Sequence, residues 1–153
     1  MNRDLMAQAR TTGSGTPVFQ GQDDRLSAGA ARRRVLIVED ELFVALHFET
    51  LIEDLGHEVT ALVSTGEDAL EEIAAEQPDV ILLDVNLGRG LSGVEVAERL
   101  RGTGVRIIFI TAYADEMNRR RMLDAAPGCL ILSKPVSDEV LHRALQTAAD
   151  PRA

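Results

Sequence analysis

Pro78-Asp79-Val80-Ile81-Leu82-Leu83-Asp84-Val85-Asn86-Leu87 is the stretch on which the reading of this chain turns. Val80 to Leu83 is an unbroken apolar run that ends on a carboxylate. A run apolar on both faces suits a central strand of a parallel sheet covered by helices above and below, whereas a half-exposed strand would alternate. In such sheets ligand chemistry gathers at the carboxyl ends of the strands, where Asp84 would stand. An acid in that place can equally be a simple turn or cap, so the decision falls to the flanking sequence.

Toward the N-terminus, Val35-Leu36-Ile37-Val38 is a second buried strand ending on Glu39-Asp40. Leu42 to Leu55 places Val44, Phe48, Leu51 and Leu55 on one helical stripe, and Gly56 stops it. Val59, Ala61 and Val63 alternate with Glu58 and Thr60, the pattern of a half-exposed edge strand. A helix over about Glu67 to Glu76 buries Leu70, Ile73 and Ala74, and Pro78 closes it.

Toward the C-terminus, Asn86 to Ser92 is a loop containing Gly88 and Gly90. Ser92 caps a helix running through Arg101, with Glu95 at the capping-box position. Val105 to Ile110 is a fourth strand ending on Thr111-Ala112, and Ala114 to Ala125 a helix exposing Arg119, Arg120 and Arg121. Cys129 to Leu132 is a fifth strand ending on Ser133-Lys134-Pro135, after a short Pro127-Gly128 loop. Ser137 caps a last helix with Val140, Leu141, Ala144, Leu145 and Ala148 inward. Five strands alternating with five helices predict right-handed crossovers and an α/β fold with a doubly wound parallel sheet. No internal repeat or second domain is visible.

The bulk numbers fit one such domain: 153 residues, 45% hydrophobic. Residues 1–33 are poor in large apolar side chains and are expected to form a disordered tail, with at most a marginal helix over Arg3 to Arg10. The folded domain is then 34–149, followed by a short tail at 150–153. The tail at 1–33 carries five Arg and three Asp, which leaves 11 basic and 22 acidic residues for the remainder. A body with a charge of -11 is poorly suited to neutralising phosphates, so no nucleic-acid partner is expected. Arg32 to Arg34 read as a solvated lead-in to the first strand. One cysteine, Cys129, excludes an internal disulfide and reads as a small core residue. With no bilayer-length apolar run and no signal peptide, the expected location is the cytoplasm, with no membrane partner.

Four strands end on polar groups: Glu39-Asp40, Asp84, Thr111 and Lys134. In a parallel sheet these ends share one edge. Two carboxylates about 4 Å apart repel by about 4 kcal/mol at an effective dielectric of about 20, so the cluster calls for a proton or a cation. Oxygen donors without His or Cys select a hard ion, and Mg²⁺ suits a site that also receives phosphate. Lys134, a mobile point charge, and Thr111, a hydroxyl donor, would complete a cradle for an anion on Asp84.

Glu39-Asp40, Asp84, Thr111-Ala112 and Lys134-Pro135, in this order at strand ends, resemble the receiver domain of a two-component response regulator, from Arg34 to about Ala149. The resemblance implies a CheY-like, flavodoxin-like sheet of order 2-1-3-4-5. It implies a phosphoryl group transferred to Asp84 from a histidine kinase or phosphotransfer protein. Mg²⁺ would be held by Glu39, Asp40, Asp84 and the backbone carbonyl of Asn86, with Thr111 and Lys134 on the phosphoryl oxygens. A single-domain regulator would then signal to a downstream protein through the face of its fourth helix, fifth strand and fifth helix, with a homodimer as one option, or serve as a phosphate shuttle or sink.

Two positions depart from the usual pattern. The aromatic switch residue expected three positions before the Lys is Ile131 here. Phe109-Ile110-Thr111-Ala112-Tyr113 instead puts a Tyr just beyond the hydroxyl, which resembles the F-A-T-G-Y-like receivers of alphaproteobacterial stress signalling, so Tyr113 is the alternative switch candidate. Two other classes stay open. A small Mg²⁺-dependent phosphatase of similar topology would want a second acid two residues after the nucleophile, where Asn86 stands. A receiver-like module that binds without phosphorylation would have no need of Asp84, Thr111 and Lys134 together. His47, His57 and His142 lack metal-ligand spacing and read as surface or interface residues.

Overall fold

The apolar runs and helical stripes meet as alternating layers in a computed structural model, which describes residues 31–149. The expectations for residues 1–30 and 150–153, the Arg3–Arg10 helix included, fall outside the described residues. The elements are β1 (Arg34–Val38), α1 (Leu42–Asp54), β2 (Glu58–Val63), α2 (Gly66–Ala75) and β3 (Val80–Asp84), then α3 (Gly93–Arg99), β4 (Arg106–Thr111), α4 (Glu116–Ala125), β5 (Leu130–Ser133) and α5 (Asp138–Ala149). All pairings are parallel, and the strand order is β2-β1-β3-β4-β5. This is the predicted doubly wound sheet.

β3 lies at the middle, and every one of its residues is buried. Its alternate side chains feed two cores. Ile81 and Leu83 join Leu36, Val38, Ile107 and Phe109 under α2, α3 and α4. Val80 and Leu82 join Val35, Ile37, Ile108 and Ile110 under α1 and α5. Each such aliphatic side chain contributes about 1.5–3 kcal/mol by leaving water, which is what fixes the register of the strand that carries Asp84.

The structure corrects several helix faces. α1 buries Ala45, Phe48 and Ile52, with Val44, Leu51 and Leu55 half-buried on its flanks. The i, i+4 count had picked one margin of a wider stripe. In α2 the inward residues are Gly66, Ala69 and Ile73, while Leu70 is half-buried and Ala74 faces solvent. Val140 of α5 is exposed although Leu141, Ala144, Leu145 and Ala148 are buried. β2 is an edge strand, but its residues from Val59 onward are all half-buried, because helices cover both faces. α3 ends at Arg99, short of the expected Arg101, behind the anticipated Ser92–Glu95 capping box. α4 starts later than expected, capped by Asp115, whose carboxylate accepts the Asn118 N–H. Cys129 lies just before β5, half-buried, and burial raises the pKa of its thiol.

Candidate functional site

The sheet register brings the polar strand ends together. Asp84 closes β3 opposite Ile110, one residue before Thr111 closes β4. Thr111 pairs with Ser133, so Lys134 is the next residue along that edge, and its N–H donates to the Thr111 carbonyl at 2.8 Å. Glu39 extends β1 beyond Val38 and its N–H donates to Val63 O at 3.0 Å. Glu39 is 4% exposed, Asp84 6% and Thr111 2%. Buried polar groups of this kind must be satisfied by partners, and they are. Lys134 Nζ donates to Glu39 Oε2 and to Asp84 Oδ2, each at 2.9 Å. Asp84 Oδ1 accepts the Asn86 N–H at 3.0 Å, and Glu39 Oε1 accepts the Glu41 N–H at 3.2 Å. Thr111 Oγ1 accepts the Tyr113 N–H at 3.0 Å, which leaves its hydroxyl hydrogen available as a donor.

One ammonium thus serves two buried carboxylates. Burial, reinforced by repulsion from Asp84 and only partly relieved by Lys134, pushes the Glu39 pKa up to about 7. Burial also works against the charge on Lys134, yet its two carboxylate partners outweigh that effect and its pKa is raised. Near neutrality Glu39 is therefore poised between its two charge states, and a further cation would settle it as a carboxylate.

Glu39, Asp40 and Glu41 each place one carboxylate oxygen within 4.8 Å of the others, with Glu39 buried and the other two exposed. An oxygen-only donor set of this kind fits a hard divalent cation. Glu41 was overlooked in the sequence, although the run Glu39-Asp40-Glu41 carried the signal. Asp84 is outside this trio, its oxygens engaged by Lys134 and Asn86. Asn86 is exposed and meets Asp84 through its N–H.

Gly93 was also overlooked. A methyl group there would overlap the Asp84 carbonyl oxygen, and the Gly93 N–H donates to Val85 O at 2.9 Å. The start of α3 therefore rests directly on the backbone of the acidic strand end. Tyr113 is 66% exposed, Ile131 is half-buried in β5 opposite Phe109, and Arg119 to Arg121 are exposed. His57 is not the expected surface residue: it is buried, and its Nδ1 accepts the Arg33 N–H at 3.2 Å, at the other end of the strands.

A family model of the response regulator receiver domain matches residues 35–146. The chain belongs to that family. Among curated proteins, the phyllosphere-induced regulator PhyR of Methylorubrum extorquens is 42% identical over 84 residues, covering 53% of this chain and 31% of that protein. The transcriptional regulatory protein DltR of Streptococcus agalactiae is 36% identical over 112 residues, covering 72% and 49%. The receiver thus spans less than half the length of either relative. Among solved structures, the receiver domain of Erythrobacter litoralis PhyR superposes with a TM-score of 0.67 at 31% identity, covering 77% of this chain and 90% of that one. The receiver domain of a modulated diguanylate cyclase from Desulfovibrio desulfuricans gives a TM-score of 0.71 at 36% identity, covering 78% and 94%. The expected likeness to stress-signalling receivers is matched by these PhyR relatives; a further solved PhyR, 32% identical, is described as a stress response regulator. Among the described residues no helix is long and apolar enough to cross a membrane.

Proposed function

We propose that this receiver accepts a phosphoryl group on Asp84 from the phosphohistidine of a histidine kinase or phosphotransfer protein. The observation that carries the reading is the single Lys134 ammonium held between two buried carboxylates, with two more acids at the rim. Such an edge is short of positive charge by design, and a divalent cation with a bound anion would complete it.

In the transfer, an Asp84 oxygen forms the new bond to phosphorus as the bond from phosphorus to the donor's imidazole nitrogen breaks. The electron pair stays on that nitrogen, which takes up a proton. The Asn86 N–H fixes Asp84 Oδ1, leaving Oδ2, now on Lys134, as the oxygen that turns outward. Lys134 Nζ then moves to a phosphoryl oxygen, and the Thr111 hydroxyl donates to another. Mg²⁺, when bound, neutralises charge on the entering phosphoryl group. Glu39 and Asp40 with Asp84 and the Asn86 carbonyl would hold it, and Glu41 stands ready as a further ligand.

The donor has an entry beside the site. A groove of about 590 Å³ lined by Phe43, Val44, His47, Phe48, Pro135 and Val136 opens next to Lys134, and Phe43 is 87% exposed on its rim. Output runs the other way. Drawing the Thr111 hydroxyl toward a phosphoryl oxygen disturbs the bond to the Tyr113 N–H and so the entry to α4, biasing the α4-β5-α5 face with Arg119 to Arg121 toward or away from a downstream protein. Tyr113 rather than Ile131 is the reporter on this route.

The test is labelling by a phosphorylated kinase in Mg²⁺. Wild type takes label and Asp84→Asn takes none; label retained on Asp84→Asn sinks the assignment. Tyr113 is the sole Tyr in a chain without Trp, so its emission reads the switch directly. It should change with beryllofluoride and Mg²⁺ in wild type and stay constant in Asp84→Asn.

A further inference from the structure

The loop from Asn86 to Ser92 joins the strand end at Asp84 to α3. At its start the Asn86 N–H binds Asp84 Oδ1, and at its end Ser92 and Gly93 are tied by the capping box and by Val85 O. In between, Gly88 and Gly90 adopt φ of +73° and +82°, a backbone that glycine accepts freely. Leu87 is buried in the core and Leu91 packs against that core, and one side chain from elsewhere binds the backbone at Leu91. Glu67, in the first turn of α2, accepts the Leu91 N–H on Oε1 at 3.0 Å, across 24 residues of sequence. Its carboxylate also fills the space beside Gly90, where a methyl group would lie 2.5 Å from Oε1 and 2.7 Å from Oε2. On the other side of the loop, a methyl group on Gly88 would sit 3.5 Å from Asp40 Oδ2. The loop thus runs between Asp40, one of the clustered acids, and Glu67, which lies outside them.

We propose that Glu67 is a positioning residue for the cation site. It holds the far end of the Asn86–Leu91 segment so that the Asn86 carbonyl is presented beside Asp40 and Asp84 before a cation arrives. The inference rests on the Asp84 reading. Glu67 touches none of the reacting groups and acts through the loop. Without its grip, the two glycines and the Leu91 amide would be restrained only by the packing of Leu87 and Leu91, and the remaining ordering at the moment of binding would appear as weaker cation affinity.

Two measurements test it on the full chain: amide hydrogen exchange at Leu91 in the metal-free protein, and calorimetric titration with Mg²⁺ alone. Glu67→Ala should speed Leu91 exchange and weaken Mg²⁺ binding by about fivefold, the size of one solvent-exposed hydrogen bond. The labelling rate at saturating Mg²⁺ should stay at the wild-type value and the melting temperature should fall by only a few degrees, as one lost hydrogen bond requires, whereas a general loss of structure would lower both far more. Glu67→Gln keeps an oxygen acceptor for the Leu91 N–H and should restore both readouts. Gly90→Ala, which crowds the same carboxylate, should weaken Mg²⁺ similarly, and the double variant with Glu67→Ala should show less than the combined loss because the two changes share one contact. The proposal is overturned if Glu67→Ala exchanges and binds Mg²⁺ like wild type, or if Glu67→Gln falls as far as the alanine variant. Wild type that neither binds Mg²⁺ nor takes label overturns the Asp84 reading, and this proposal with it; that outcome is distinct from normal wild-type binding with an indifferent Glu67→Ala.

Discussion

The two ends of the sheet handle charge in opposite ways. At the amino ends of the strands, Arg34 donates its N–H to Asp79 Oδ2 at 2.8 Å, while its guanidinium meets Glu76 at 2.6 Å and the Gln77 carbonyl at 3.3 Å. Arg32 meets Glu58 at 3.4 Å, and the Arg33 N–H is taken by buried His57. Cations there meet anions or carbonyls, and the ionised members are largely at the surface. At the carboxyl ends Lys134 is shared by Glu39 and Asp84, both buried, while Asp40 and Glu41 stand beside them. Both ends are polar. What marks the second as a site is a buried surplus of one sign, which the fold tolerates only at a cost and which a cation with a bound phosphoryl group would balance.

Substitutions should separate the two ends by size of effect. The largest concerns glycines. Gly93→Ala forces a methyl group onto the Asp84 backbone and should destabilise the domain by about 2–3 kcal/mol in urea unfolding. Gly104→Ala, toward the opposite end, meets nothing within 4 Å and carries only the cost of a left-handed backbone at φ +82°, about 1 kcal/mol. Equal losses would mean that the start of α3 can retreat from Asp84.

Next come the two cations. Lys134→Ala removes the one cation shared by Glu39 and Asp84 and should cost about 2 kcal/mol at pH 9, where both acids are ionised, less than a fully buried pair because the lysine is partly exposed. Much of that loss should be recovered by pH 7, because without the lysine the Glu39 pKa rises further and the group takes up its proton there. Arg34→Ala should cost about 1 kcal/mol or less, with little pH dependence. A Lys134 variant insensitive to pH would show that the two acids are better solvated than their burial implies.

The smallest contrast is in the pH profile of the metal-free protein. Burial, helped by Arg33 and His142, lowers the His57 pKa from 6.5, so its contribution to stability is present above about pH 6.5 and is lost as the pH falls and the ring must charge. Glu39 has the opposite sign. Its folded pKa of about 7 lies above the ordinary 4.5, so its contribution is full below pH 4.5 and is lost as the pH rises through 7. His57→Gln should flatten the acid side of the melting-temperature profile, and Glu39→Gln should flatten the side approaching pH 7. Profiles changed in the reverse order would contradict both assignments.

The sheet was legible because β3 and β1 are apolar on both faces and end abruptly on acids, a pattern that few other contexts produce. The helix faces were less so. In α1 the residues Ala45 and Ile52 define the buried line, yet a small residue such as Ala45 weighs little in a reading that counts large apolar side chains. Asp84, Thr111 and Lys134 could be placed because one residue type at one strand end is enough to put a group on the edge. Gly93, Glu67 and Glu41 could not, since their roles depend on what approaches from a different element: a carbonyl oxygen, a loop amide and a neighbouring acid. His57 was misread for the same reason, because its burial follows from the β1 lead-in folding over it rather than from its own neighbours in sequence.

The central claim is that the buried surplus of negative charge exists to receive a phosphoryl group on Asp84. It is tested most directly by incubating the full chain with acetyl phosphate, with and without Mg²⁺, reducing the product with borohydride and mapping the modified peptide. The account predicts one modified residue, Asp84, in the presence of Mg²⁺, with no modification when the metal is chelated or in Asp84→Asn. Modification at Asp40 or Glu41, or at Asp84 at an undiminished rate without Mg²⁺, would contradict it.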